Sequence, residues 1–215
     1  FPTRRSSDLQ NYINVFDGAT RFFRGKRMDG NWESPFNPLA VGRAYTEATA
    51  WQYRFFVPHD VNGMIQLFGG KEEFVAALDD IFNTDAEIHG NLVDITGLIG
   101  QYVHGNEPSH HIAYLYNYVG ESWKTQKMSR RLLNEMYHPT PEGIIGNEDC
   151  GQMSAWYILS SMGLYSVCPG SNEYVLTTPL FEKVVVHLAN GRTLTILAND
   201  PQKNIYITKV ELNGK

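Results

Sequence analysis

The hydrophobic period of this 215-residue chain changes once, near Ser171, and that change constrains the fold more than any other feature. Before it, apolar residues recur at spacings of three and four, as in helices with one buried face. After it they alternate, as in strands of an antiparallel sheet. The expected class is mainly α with C-terminal β. Helical patterns cover 45–57, stopped by Pro58, and 71–82, where Phe74, Leu78, Ile81 and Phe82 share a face. Pro108 is a natural first helical residue for a segment over 110–118. Ser122 reads as the cap of a helix reaching about Tyr137, ended by Pro139. Residues 152–162 are apolar on most sides and read as a buried helix stopped by Gly163. Strands are expected at 173–177, 183–188, 193–198 and 205–212, with a hairpin turn at Asn190-Gly191. Helices joined by long loops, then a β-meander, point to part of a helical barrel leading into antiparallel strands.

Composition narrows the function classes. Hydrophobic residues at 42% and charged residues at 19% are those of an ordinary globular chain. A net charge of −5 gives no electrostatic case for nucleic acid or an anionic membrane. No apolar run approaches the ~18–20 residues that span a bilayer. Aromatic residues at 13% serve a core, and they also suit a cleft that stacks on sugar faces. Cys150 and Cys168 are too few for a disulfide framework and fit no zinc spacing. A single bridge and two buried thiols both remain open.

Both ends carry their own expectations. Residues 1–9 hold no apolar h-region and so form no signal peptide. They equal one reading-frame translation of a widely used sequencing adapter, so they are expected to be a non-native leader, with the native chain starting near Gln10. Asn213-Gly214 is a type I′ turn signal with no return strand behind it. The chain is therefore expected to be an internal fragment, with residues 10–170 its helical part and 171–215 a truncated strand segment.

Chemistry concentrates in three polar segments, each ahead of an expected helix: 45–53, 104–111 and 147–149. In a helical barrel the N-termini of successive inner helices converge at one end. Acids gathered there need a reason, because like charges repel at close range. A bound cation is one reason, and a proton shared with substrate is another. Each segment also has a plainer reading. Glu47 suits a first helical turn, where an acid favours the dipole. Asn106 suits an N-cap and Glu107 a surface. His110 and His111 suit a core, since adjacent helical residues do not face one ion. Asp149 is placed to cap the helix at 152 and equally to hold a water.

Five ordered words carry a resemblance: Tyr45-Thr-Glu-Ala-Thr-Ala-Trp-Gln-Tyr53, Val57-Pro-His-Asp60, His104-Gly-Asn-Glu-Pro-Ser-His-His111, Trp123-Lys-Thr-Gln126 and Gly146-Asn-Glu-Asp-Cys-Gly-Gln-Met-Ser-Ala-Trp156. From about Tyr12 onward the chain resembles the C-terminal part of the catalytic domain of glycoside hydrolase family 92, the calcium-dependent exo-α-mannosidases. The resemblance implies an N-terminal β-sandwich, absent here, paired with an (α/α)6 barrel of which this chain holds the later helices. It implies inverting hydrolysis of terminal α-linked mannose, α-1,2 first among linkages, in the degradation of N-glycans.

Inversion needs an acid and a base roughly 6.5–9.5 Å apart. By motif position Glu47 is the acid, its pKa raised by burial beside Trp51 or by nearby carboxylates. Asp149 is the base. Many members carry Asp where this chain has Asn147, so either Asp149 carries the role alone here or the activity is weakened. Glu148 is expected to orient the site. The resemblance further implies Ca2+ on the cis 2- and 3-hydroxyls of mannose, with Asn106 and Glu107 as oxygen donors. Asp60, His104 and His110 are expected at sugar hydroxyls, and Trp51 stacks on the sugar or packs. Location follows family habit: periplasm, cell surface or secretion. Two other classes remain. Another (α/α)-barrel enzyme such as a phosphorylase would need an anion site, and no Arg or Lys converges on the acidic motifs. An inactive glycan-binding or structural fragment is the other.

Overall fold

The computed structural model describes residues 8–42, 44–90 and 95–215. The leader reading of residues 1–9 falls mostly on residues 1–7, outside the described residues. The chain divides into two units, Phe1–Ile112 and Ala113–Lys215.

In the first unit, β1 (Phe16–Asp17) pairs antiparallel with β2 (Phe22–Phe23). Three helices follow: α1 (Ala50–Tyr53), α2 (Val61–Phe68) and α3 (Lys71–Asn83). A short antiparallel pair, β3 (Leu98–Ile99) and β4 (Tyr102–Val103), comes next. α3 matches its expected span, and it buries Phe74, Ala77, Leu78, Ile81 and Phe82. α2 has no counterpart among the sequence expectations, although Val61, Met64, Ile65 and Phe68 fall at helical spacing and are buried. Asp60 starts it, Oδ1 accepting the Gly63 N–H at 2.8 Å, and Gly69 ends it at φ 102°. The core closes on Phe55, Phe68 and Phe74, whose ring centroids stand 5.3–5.6 Å apart.

The helix expected over 45–57 shrinks to the four residues of α1. Its start is set by a capping box: the Thr49 N–H donates to Gln52 Oε1 at 2.7 Å, and Thr49 Oγ1 accepts the Trp51 N–H at 3.3 Å. At the other end Pro58 disfavours helical backbone in the residue before it. The segment after Pro108 forms 3₁₀ turns, Glu107–Ser109 and Ile112–Val119, in place of the expected α-helix.

The second unit contains α4 (Ser122–Glu135) and α5 (Gln152–Ser161). Ser122 is the first helical residue of α4, and Glu121 holds the cap position without a side-chain cap bond. Tyr114 and Tyr165 stack at 4.1 Å in the core, beside the fully buried Trp156. α5 is less enclosed than its composition implies, since Ile158 is 54% exposed. Gly163 closes α5 at φ 81°. A Cβ there would stand 2.5 Å from the Thr177 carbonyl oxygen, so the position demands glycine.

The strand segment forms two separate antiparallel pairs among the described residues, not a meander. β5 (Leu164–Tyr165) pairs with β6 (Val175–Leu176), and β7 (Lys183–His187) with β8 (Thr193–Leu197). The Asn190-Gly191 hairpin forms as expected. Residues 205–212 make no strand. α4 and the loop after β6 take their backbone groups instead: Gln126 Oε1 accepts the Ile207 N–H at 2.9 Å, and the Thr178 hydroxyl donates to the Ile205 carbonyl at 2.6 Å. Asn213 and Gly214 adopt φ 53° and 76°, the two left-handed residues that a type I′ turn requires. Among the described residues no helix is long and apolar enough to cross a membrane.

Candidate active site

Glu47 precedes the capping box of α1 by two residues and takes φ 53°, left-handed backbone that an L side chain rarely adopts. The first-helical-turn reading of this acid therefore does not hold. Its side chain is exposed, so burial beside Trp51 is not found either. Trp51 points inward, 8% exposed and edge-on to Phe22 at 5.0 Å. Its indole is a core group and not a sugar platform. The Trp51 Nε1–H is buried with no hydrogen-bond partner among the described residues.

The second segment lies directly against the first. Asn106 is buried, and its Nδ2 donates to the Glu47 carbonyl at 2.7 Å. Although Asn106 holds the cap position of the Glu107–Ser109 turn, its side chain makes no cap bond there. The amide clamps the Glu47 loop instead. Two further bonds join the same strips of chain: Gln52 Nε2 to the Gln101 carbonyl at 2.7 Å, and His111 Nε2 to the Phe55 carbonyl at 2.7 Å.

Tyr53 was not among the expected site residues. Its hydroxyl donates to the Thr46 carbonyl at 3.2 Å. Burial pushes its phenol up, and the Glu47 and Glu107 carboxylates raise it further. The signal was available, because Tyr53 closes the same motif that contains Glu47.

The expected sugar partners are occupied elsewhere. His104 is fully buried, its Nδ1 bonded to the Tyr102 hydroxyl at 2.8 Å. Burial, with the His110 ring beside it, lowers its pKa to about 3, so it stays neutral. His110, also buried, donates from Nε2 to the His104 carbonyl at 2.9 Å. Both are core histidines. Asp60 caps α2 and accepts the Tyr12 hydroxyl at 2.7 Å, which commits both its oxygens.

In the second unit the two neighbouring acids divide the work that sequence left open at Asp149. Glu148, not Asp149, caps α5. Its Oε2 accepts the Gly151 N–H, and its Oε1 accepts the Ser154 N–H at 3.1 Å. The Ser154 hydroxyl and N–H, with the Gly151 N–H, hold the Glu148 carboxyl below its usual range. The cap is compatible with the part expected of Glu148 in orienting the site. Asp149, Cys150 and Gly151 then take φ 53°, 55° and 95° in succession. This left-handed turn sets the Asp149 side chain out as an exposed carboxylate. Cys150 is exposed and Cys168 half-buried, and both are free thiols. Neither the bridge nor the buried-thiol reading holds.

Among the described residues six non-glycine positions take positive φ, and two of them are the expected acid and base. Left-handed backbone costs a residue such as Glu about 1–2 kcal/mol and an Asp or Asn less, and strain of this kind concentrates at functional sites. Among the described residues no group of three or more His, Cys, Asp or Glu side chains is arranged to hold a metal ion. Asn106 and Glu107 fit a calcium site in donor chemistry, as hard oxygens, but supply only part of the 6–8 ligands such an ion takes.

Each unit thus carries one exposed acid on a left-handed turn ahead of a helix, Glu47 before α1 and Asp149 before α5. The profile of the glycosyl hydrolase family 92 catalytic domain matches residues 4–215, and the chain belongs to that family. A family GH92 α-mannosidase of Bacteroides thetaiotaomicron, solved with mannoimidazole, superposes with a TM-score of 0.87 at 40% identity. That match covers 95% of this chain and 28% of the other. A family GH92 inverting mannosidase of the same bacterium gives a TM-score of 0.76 at 37% identity, over 89% of this chain and 27% of that one. An uncharacterized secreted glycosidase of Arthroderma benhamiae is 31% identical over 97% of this chain and 27% of its own length. The chain thus spans little more than a quarter of the relatives it matches.

Proposed function

We propose that the natural protein carrying these residues removes terminal α-linked mannose from glycans, α-1,2 linkages first, with inversion at the anomeric carbon. The observation that carries this reading is the Asn106–Glu47 clamp, which joins the motif of Glu47 to the motif of Glu107. Identity of 40% and 37% to two family mannosidases, one named as inverting, supports it.

Glu47 is the general acid. Its proton passes to the glycosidic oxygen as the bond to the anomeric carbon breaks. Asp149 is the general base. It takes a proton from the water that attacks the opposite face. Asn106 holds the backbone that presents Glu47, and Glu148 holds the turn that presents Asp149. Calcium would be held by Asn106 Oδ1 and the Glu107 carboxylate, with substrate hydroxyls, backbone carbonyls and water completing the shell. When bound it supplies positive charge to a cis diol, which selects mannose over glucose. The helices are read as the later part of an (α/α)6 barrel, completed by a β-sandwich of the same polypeptide. A secreted relative supports an exported location: periplasm, cell surface or medium.

The test is mannose release from an α-mannoside by the full-length natural chain. Glu47→Gln and Asp149→Asn each abolish it, and so does a chelator. Normal turnover by either variant would overturn that assignment, and full activity after chelation would remove calcium from the mechanism.

A further inference from the structure

Three consecutive peptide carbonyls at Glu47 are each held by a donor from elsewhere in the first unit. The Tyr53 hydroxyl donates to the Thr46 carbonyl at 3.2 Å, Asn106 Nδ2 to the Glu47 carbonyl at 2.7 Å, and the Gly42 N–H to the Ala48 carbonyl at 3.1 Å. The first two matter most for the acid. The Thr46 carbonyl lies in the peptide plane before the Glu47 Cα, and the Glu47 carbonyl in the plane after it. Because each plane is rigid, fixing both fixes the two backbone rotations of Glu47 and the direction of its side chain. Packing does not do this work. Ala48 and Thr49 are fully buried, but Thr46 and Glu47 are exposed. Left-handed backbone at φ 53° is not one that a free Glu holds by itself. Tyr53 is suited to hold it. Its ring is half-buried, 5.9 Å from Tyr45 and edge-on to Phe56 at 5.6 Å, so the hydroxyl reaches Thr46 from a braced ring.

We infer that Tyr53 is a positioning residue for the acid. Its hydroxyl holds the peptide plane ahead of Glu47, as Asn106 holds the plane behind it, and the pair sets the direction in which the carboxyl is presented. The inference rests on the proposed role of Glu47. It requires of Tyr53 no proton transfer and no contact with substrate.

Two leaving groups test it. A sugar departs only with a proton from the acid, whereas a dinitrophenolate departs without one. Tyr53→Phe in the full-length chain removes the hydroxyl and keeps the ring. It should lower kcat/KM for an α-1,2-linked mannobiose about 2- to 12-fold, the range for one hydrogen bond carried into the transition state. The loss should lie in kcat, with KM little changed. Hydrolysis of dinitrophenyl α-mannoside should be unaffected. Both rates scale with the folded fraction, so their ratio separates a displaced acid from a destabilised fold. An unchanged ratio in Tyr53→Phe overturns the inference. Glu47→Gln tests the reading beneath it: this variant should lose the mannobiose and keep the dinitrophenyl substrate, and equal loss on both overturns the acid assignment instead.

Discussion

Asn106→Asp separates two roles that the structure assigns to one residue. The substitution keeps side-chain volume and an oxygen for a cation, but replaces the Nδ2 donor, 2.7 Å from the Glu47 carbonyl, with a second acceptor. Asn106 is 5% exposed, so water does not readily replace the lost bond. The bond is part-buried, and losing one of this kind costs about 0.5–1.5 kcal/mol. The left-handed backbone of Glu47 costs about 1–2 kcal/mol. The two are comparable, so without the clamp the loop relaxes from φ 53° and the carboxyl leaves its place. Carried into the transition state, the loss lowers kcat/KM about 2- to 12-fold. The assay is hydrolysis of an aryl α-mannoside by the full-length chain across a calcium titration, with thermal melting alongside. The variant should lose activity at every calcium concentration. Wild-type activity, or a gain in calcium affinity with turnover intact, would refute the clamp and leave Asn106 as a ligand only.

Glu148→Ala frees the Gly151 and Ser154 N–H groups and lets the Asp149 turn move, so kcat should fall by up to about 100-fold with KM little changed. Glu148→Gln keeps an acceptor and should fall less; equal losses would show that charge, not geometry, matters. His104 and His111 titrate near pH 3 and 4 when folded, against 6.5 in the unfolded chain. Below pH 6.5 the unfolded state binds more protons, so their stabilising effect is complete above that pH and drains away down towards 4. Melting temperature should therefore drop between pH 7 and 5, and a flat profile would contradict neutral buried rings. Thr49→Ala removes the cap oxygen of α1 and should cost about 1 kcal/mol in denaturant unfolding.

Periodicity made much of the fold legible. α3 needed only its apolar face and its first-turn acids. The β7–β8 hairpin needed only alternation about Asn190-Gly191, whose turn geometry is local. Features set by competition between side chains were not legible. Residues 205–212 alternate like a strand, yet Gln126 and Thr178 bind their backbone groups. Asp60 reads as a sugar partner until a helix is seen to start on it. The site followed the same division. Motif order singled out the segments of Glu47 and Asn106, which one hydrogen bond joins, but the division of jobs between Glu148 and Asp149 depends on a left-handed turn that no periodicity encodes. His104 and His110 were expected at sugar hydroxyls by resemblance, with a core reading open for His110, and burial places both rings in the core.

The central claim is an inverting site with Glu47 as acid and Asp149 as base. Proton NMR of the first mannose released from an α-mannoside by the full-length chain tests it most directly. The account predicts β-mannose first, with the α anomer appearing only by mutarotation. α-Mannose as the first product would contradict it.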